Sequence, residues 1–158
     1  MTCIGSLCNV ERVDRMHALS SDLVVYVARL VRDVRRHNAE IPAASTRVLS
    51  LVDELGPSTV GVLADNDRCS QPTMSGLVNG LVERGWVARS PHPDDSRASL
   101  VSLTELGHKT LAGLRQNNAD LIARRMAAAG RSADDLEQVV AVLRDLLPSK
   151  NDETEGQQ

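Results

Sequence analysis

Aromatic side chains are almost missing: the 158 residues include no Phe, one Tyr (Tyr26) and one Trp (Trp86). A core must therefore be assembled from Leu, Val, Ile, Ala and Met, which suits helices packed through aliphatic ridges. Cysteine is scarce and odd in number, with Cys3, Cys8 and Cys69 in no spacing that suggests a disulfide framework and no secretory apolar region before them. A reducing cytoplasm is the expected compartment. Cys3 and Cys8 also lack zinc-finger spacing or a His pair, so no metal and no cofactor are expected. No apolar run approaches the ~20 residues of a membrane-spanning helix. Catalytic signatures are missing too: there is no Gly-rich phosphate loop, nucleophile elbow or Glu-x-x-His cluster, and Asp53-Glu54 and Asp94-Asp95 are sequence neighbours that do not face one another on regular structure. An enzyme is not expected.

Excess positive charge is lacking as well. Two lysines and 16 arginines stand against 21 acids, and the net −3 resides in Asp152, Glu153 and Glu155 near the end of the chain. Residues 1–150 are neutral, so a nucleic-acid partner must be argued from local placement and motif. What is present is an ordinary globular balance, 25% charged and 42% apolar, in a length that fits one domain.

The apolar residues fall into helical stripes. Leu23, Val24, Val27, Leu30, Val31 and Val34 mark a long helix from about Arg12 to His37. Val48, Leu51, Val52 and Leu55 mark a second, after Pro42 and before Gly56-Pro57. Ser58 is placed to cap a short third helix containing Val60, Leu63 and Ala64, which ends near Asn66-Asp67 in a turn conformation these residues tolerate. Ser70 caps a fourth, with Pro72 in its first turn, the stripe Met74, Leu77, Val78, Leu81 and Val82, and Gly85 as its C-terminal glycine. Trp86–Ser90 and Ala98–Leu103 read as the strands of a hairpin with a loop at 91–97. Thr104 caps a long helix carrying Leu111, Leu114, Leu121, Ile122 and Met126. Ser132 opens a last one, striped by Leu136, Val139, Val140, Leu143 and Leu147, which Pro148 ends.

The expected fold is mainly α with a small β-hairpin wing: a winged helix-turn-helix flanked by long dimerisation helices. It divides into an N-terminal arm and helix (1–40), the winged helix-turn-helix (41–103), C-terminal dimerisation helices (104–148) and a disordered acidic tail (149–158). Four segments stand in order along the chain: Leu63-Ala64, Ser70-Gln71-Pro72-Thr73-Met74-Ser75, Leu81-Val82-Glu83-Arg84-Gly85-Trp86-Val87, and Asp95-Ser96-Arg97 followed by Val101-Ser102-Leu103-Thr104-Glu105-Leu106-Gly107. Through them the chain resembles, over roughly residues 15–147, the MarR family of bacterial transcriptional regulators. The resemblance is strongest in the last segment, which is similar to the family's Asp-x-Arg wing and its Leu-Thr-x-x-Gly junction. It implies a cytoplasmic bacterial homodimer that binds a pseudo-palindromic double-stranded operator, represses transcription and is released by a small aromatic or amphipathic effector.

At 100° per residue, the outward face of the fourth helix carries Pro72, Thr73, Gly76, Asn79, Gly80 and Glu83, flanked by Gln71 and Ser75. Two glycines mid-helix let a backbone approach DNA closely, at roughly 1 kcal/mol each in helix propensity. Asn79 and Gln71 suit bidentate adenine recognition, and Ser70, Thr73 and Ser75 reach phosphates or base edges. The sequence departs from the family at Gly76, where a larger polar or basic side chain is common. In the wing, Arg97 suits a narrow minor groove or a phosphate, with Asp95 orienting it, and Arg89 and His92 are weaker wing candidates. The candidate DNA contacts are thus Ser70, Gln71, Pro72, Thr73, Ser75, Gly76, Asn79, Arg89, Asp95 and Arg97. Each has a plainer alternative, a solvated helix face or a surface pair worth little.

The last helix supplies interface candidates in Leu136, Val139, Val140, Leu143 and Leu147, for which packing within the chain is equally open. The resemblance places an effector where dimerisation and DNA-binding parts meet, with Met16, His17, Tyr26, Arg47 and Leu51 as candidates and Arg47 as an anion partner. Cys69, just before a helix N-terminus, is a candidate redox thiol of lowered pKa. The rival to DNA binding is a winged-helix dimer that binds protein or senses oxidants with little direct DNA affinity, because residues 57–103 carry a net charge of −1.

Overall fold

The computed structural model describes residues 4–37, 41–95 and 97–147, with side chains from Arg12 onward. Cys3, Ser96, Pro148 and the acidic tail lie outside that description, as does the side chain of Cys8. Among the described residues six helices and three short strands are ordered α1 (Ile4–His37), α2 (Ala43–Leu55), β1 (Ser58–Thr59), α3 (Val60–Asn66), α4 (Gln71–Glu83), β2 (Val87–Pro91), β3 (Ser99–Leu103), α5 (Glu105–Ala128) and α6 (Ala133–Leu146). The described residues fall into two compact units that divide between Arg115 and Gln116, within α5.

In the first unit the core joins Val48, Leu49 and Val52 of α2 to Leu63 and Ala64 of α3 and to Met74, Val78 and Leu81 of α4. Val87 of β2, Val101 of β3 and Leu111 of α5 complete it, and no aromatic ring is fully buried there. Each of the buried Leu and Met side chains contributes about 2 kcal/mol by leaving water. The stripe positions Val48 and Val52 of α2 and Met74, Val78 and Leu81 of α4 face this core, whereas Leu23, Val24, Leu30 and Val31 of the α1 stripe stay exposed. Asp53 of α2 accepts a 2.8 Å hydrogen bond from Arg115 of α5, and His108 Nδ1 lies 3.7 Å from the same carboxylate.

Three expectations need correction. The first helix starts at Ile4 rather than Arg12, since only Gly5 opposes helix before Glu11 and a glycine at the fraying first turn costs little. Ser58 is not a helix cap. It belongs to β1, its hydroxyl donates to the Gly56 carbonyl, and Thr59 caps α3 by accepting from Val62 N. The wing is accordingly a three-stranded antiparallel sheet of order β1-β3-β2, with Ser58 opposite Val101 and Val87 opposite Leu103. α3 ends at Asn66 as expected, and the left-handed residue of the turn that follows is Arg68, with φ 52°.

The ends of α4 behave as expected. Ser70 accepts from Thr73 N at 3.4 Å. At the other end Gly85, with φ 70°, bonds the Val82 carbonyl while Trp86 N bonds that of Leu81, satisfying two orphan acceptors. Thr104 then locks the wing to α5. Its hydroxyl donates to Gly85 O at 2.6 Å and accepts from Gly107 N at 3.0 Å, and its amide bonds Trp86 O. Gly107 is obligatory because a Cβ there would lie 2.0 Å from the Trp86 carbonyl oxygen.

In the second unit, Gly130 (φ 64°) closes α5, and α6 opens with a reciprocal Ser132/Asp135 capping box.

Candidate nucleic-acid interface

The N-terminus of α4 and the tip of the sheet enclose a groove of about 670 Å3. Gln71, Pro72 and Ser75 line it from α4, and Arg89, Asp95 and Arg97 from the wing, with Thr59, Val60, Gly61, Ala98 and Ser99 completing the wall. Six of the ten expected DNA contacts therefore share one concavity. Gln71 lies against α3, where a Cβ on Gly61 would come within 3.0 Å of its amide nitrogen. Ser70 and Thr73 hydroxyls bond each other at 2.8 Å at the mouth of α4. Gly76 is exposed, and nothing lies within 4 Å of where its Cβ would be, so internal packing does not require the glycine.

The arginines divide by role. Arg97 is exposed, and its backbone amide, not its guanidinium, bonds Asp95 Oδ1 at 2.9 Å. Asp95 therefore shapes the tip through an Asx turn, correcting the expectation that it orients the Arg97 side chain. Arg89 donates from Nη2 to Asn79 Oδ1 at 3.0 Å and from Nη1 to Ser99 Oγ at 3.2 Å, tying the wing to α4. His92 accepts at Nδ1 from Asp94 N and so braces the loop. Arg84 bonds the Gly80 carbonyl and sits 5.4 Å from the Trp86 ring centroid, which occupies it locally. Ser99, Thr59 and Gly61 were not legible as site residues, because their partners lie far along the chain or in the fold's concavity.

The expected effector residues do not converge. Met16, His17 and Tyr26 are exposed on α1, whereas Leu51 packs against the core. Arg47 already has an internal anion, holding the Asp67 carboxylate through Nε and Nη2 at 2.5 and 2.9 Å. Cys69 also departs from expectation. Burial pushes its thiol pKa up, reinforced by the neighbouring Asp67 carboxylate, and these outweigh the Arg47 charge and the Met74 amide that pull it down. On α6, Val139, Val140 and Leu147 are exposed and Leu136 and Leu143 half-buried, so packing within the chain leaves most of that stripe bare.

The MarR family model matches residues 41–99, the span from α2 to the start of β3. An uncharacterized HTH-type transcriptional regulator of Mycobacterium bovis is 34% identical over 127 residues, covering 79% of this chain and 89% of the relative. The chain belongs to the MarR family. This MarR-family fold superimposes on a putative transcriptional regulator of Pseudomonas aeruginosa with a TM-score of 0.70 at 24% identity, over 84% of this chain and 93% of that one. A mutant of MarR from E. coli, solved in complex with operator DNA, matches with a TM-score of 0.54 at 22% identity, over 94% of this chain and all of the other. The chain is a DNA-binding transcription regulator by family. Among the described residues no helix is long and apolar enough to cross a membrane.

Proposed function

We propose that this MarR-family chain is a homodimeric repressor that reads a pseudo-palindromic double-stranded operator, with α4 in the major groove and Arg97 in the adjacent minor groove or on its phosphates. The observation that carries this reading is the joint lining of one groove by Gln71 and Ser75 of α4 and Arg97 of the wing, beside the bare surface of Gly76. A neutral body is no obstacle, since backbone amides and helix N-termini hold phosphate without formal charge. One such module grips too few phosphates for tight binding, and the bare α6 stripe supports pairing of two copies with half-sites ~34–36 Å apart. Repression follows when the bound dimer occupies a promoter. Release by a small amphipathic effector is part of the proposal and rests on membership of the MarR family. The oxidant-sensing alternative is disfavoured by the raised Cys69 thiol.

Selecting bound fragments from the organism's own genomic DNA tests the reading. A two-fold symmetric motif is expected, its half-sites one helical turn apart. Failure to enrich any fragment at low salt contradicts it.

A further inference from the structure

We propose that Arg89 is a positioning residue that holds the Asn79 amide with its N–H side free and so favours guanine at the base Asn79 meets. The inference rests on the DNA-binding reading above. A guanidinium has only donors, so the Asn79 atom facing Arg89 Nη2 at 3.0 Å must be the carbonyl oxygen. That contact fixes which way the amide points: Oδ1 is held toward the wing, and Nδ2 is left as the group to offer. Arg89 is itself tethered, because Nη1 donates to Ser99 Oγ on β3 at 3.2 Å. The reading group and the wing thus share one connected set of hydrogen bonds.

Asn79 is exposed on α4, three residues past Gly76 on the same outward face, where no side chain fills the space. A free Asn reads adenine by using its oxygen and nitrogen together, on N6 and N7. Arg89 occupies one lone pair of the oxygen and holds the amide in that rotation, so the two N–H donors are the side turned away from Arg89. Guanine presents two acceptors in the major groove, N7 and O6. Adenine offers one acceptor, N7, beside the opposing N6 donor, cytosine offers only the N4 donor, and thymine offers one acceptor beside a methyl group. Guanine is the base that matches, which revises the bidentate adenine reading suggested by residue type alone.

The test is selection of bound duplexes from a random library by the full-length wild-type chain, Arg89→Ala and Asn79→Asp. Wild type is expected to enrich guanine at one position in each half-site. Arg89→Ala frees the amide to turn, so adenine gains and the preference for guanine falls about tenfold at that position. Asn79→Asp keeps an acceptor for Arg89 but removes both donors, so guanine is lost there while the rest of the motif persists. Both side chains are exposed, and thermal midpoints within a few degrees of wild type confirm that folding is intact. Adenine at that position in the wild-type motif, or one motif shared by all three proteins with affinity merely lowered, overturns the inference. A wild-type chain that enriches no motif at low salt overturns the DNA-binding reading with it.

Discussion

The Arg47 guanidinium on α2 grips the Asp67 carboxylate across 20 residues of sequence, through two hydrogen bonds of 2.5 and 2.9 Å. The Asp67 side chain is 5% exposed, so removing its partner strands a carboxylate in the turn that delivers α4. Arg47→Met is expected to lower the free energy of unfolding at pH 7 by about 1–3 kcal/mol, read from urea melts. The Arg47 hydrogen bond holds the Asp67 pKa below its ordinary value, against burial, which raises it. A folded pKa below the unfolded one gives stability that is full above about pH 4 and fades as pH falls through the folded value. The gap between wild type and variant should therefore close on acidification. A gap unchanged from pH 7 to pH 2 contradicts this assignment.

Burial, with the Asp67 carboxylate beside it, raises the Cys69 pKa and keeps it a thiol at neutral pH. Peptide-resolved alkylation should show Cys69 reacting with a pH midpoint above that of a free cysteine, since the thiolate is the nucleophile. Cys69→Ser should leave peroxide sensitivity of DNA binding unchanged. Fast alkylation of Cys69 at pH 7 counts against the assignment.

Two glycine-to-alanine changes should act in opposite directions. Gly107→Ala drives a Cβ to 2.0 Å from the Trp86 carbonyl, a backbone clash that should cost more than about 3 kcal/mol or prevent folding. Gly76→Ala meets nothing within 4 Å and should stabilise by about 0.5–1 kcal/mol through helix propensity. The same methyl should weaken DNA binding if the backbone of α4 approaches the duplex there. Thermal melts and titration with selected fragments separate the two effects.

The parts of the fold that were legible in sequence are those set by neighbours within a few residues. The stripe Met74, Val78 and Leu81, the Ser70 cap and the C-terminal Gly85 each depend on spacings of four or less, and all three stand as read. β1 was not legible because two residues, Ser58 and Thr59, show no alternation; they are strand only because β3 offers an open edge some 40 residues later. Arg68 takes the left-handed turn although neighbouring Asn66 and Asp67 are the more tolerant types, since Asp67 is committed to Arg47 and Asn66 ends α3 by bonding the Val62 carbonyl. At the site, residue types were enough to nominate Arg89 and Asn79. Their mutual bond follows from β2 running back beside α4, a matter of tertiary placement.

Val139 and Val140 on α6 are 53% and 44% exposed in the single chain. Val140→Glu should therefore be tolerated by the isolated fold yet reduce the dimer fraction at least tenfold, because a charge would enter a desolvated seam. Sedimentation velocity reads the change, with helical content as the control. A wild-type chain that sediments as a monomer at all concentrations removes the dimer from the account.

Salt dependence of affinity for a selected duplex tests most directly whether α4 and the wing grip DNA. Log affinity should fall linearly with log salt, by about 0.9 per phosphate neutralised, and Arg97→Ala should reduce the steepness by about one such step per subunit. A flat dependence, or an Arg97→Ala chain whose affinity and slope equal those of wild type, would contradict the account.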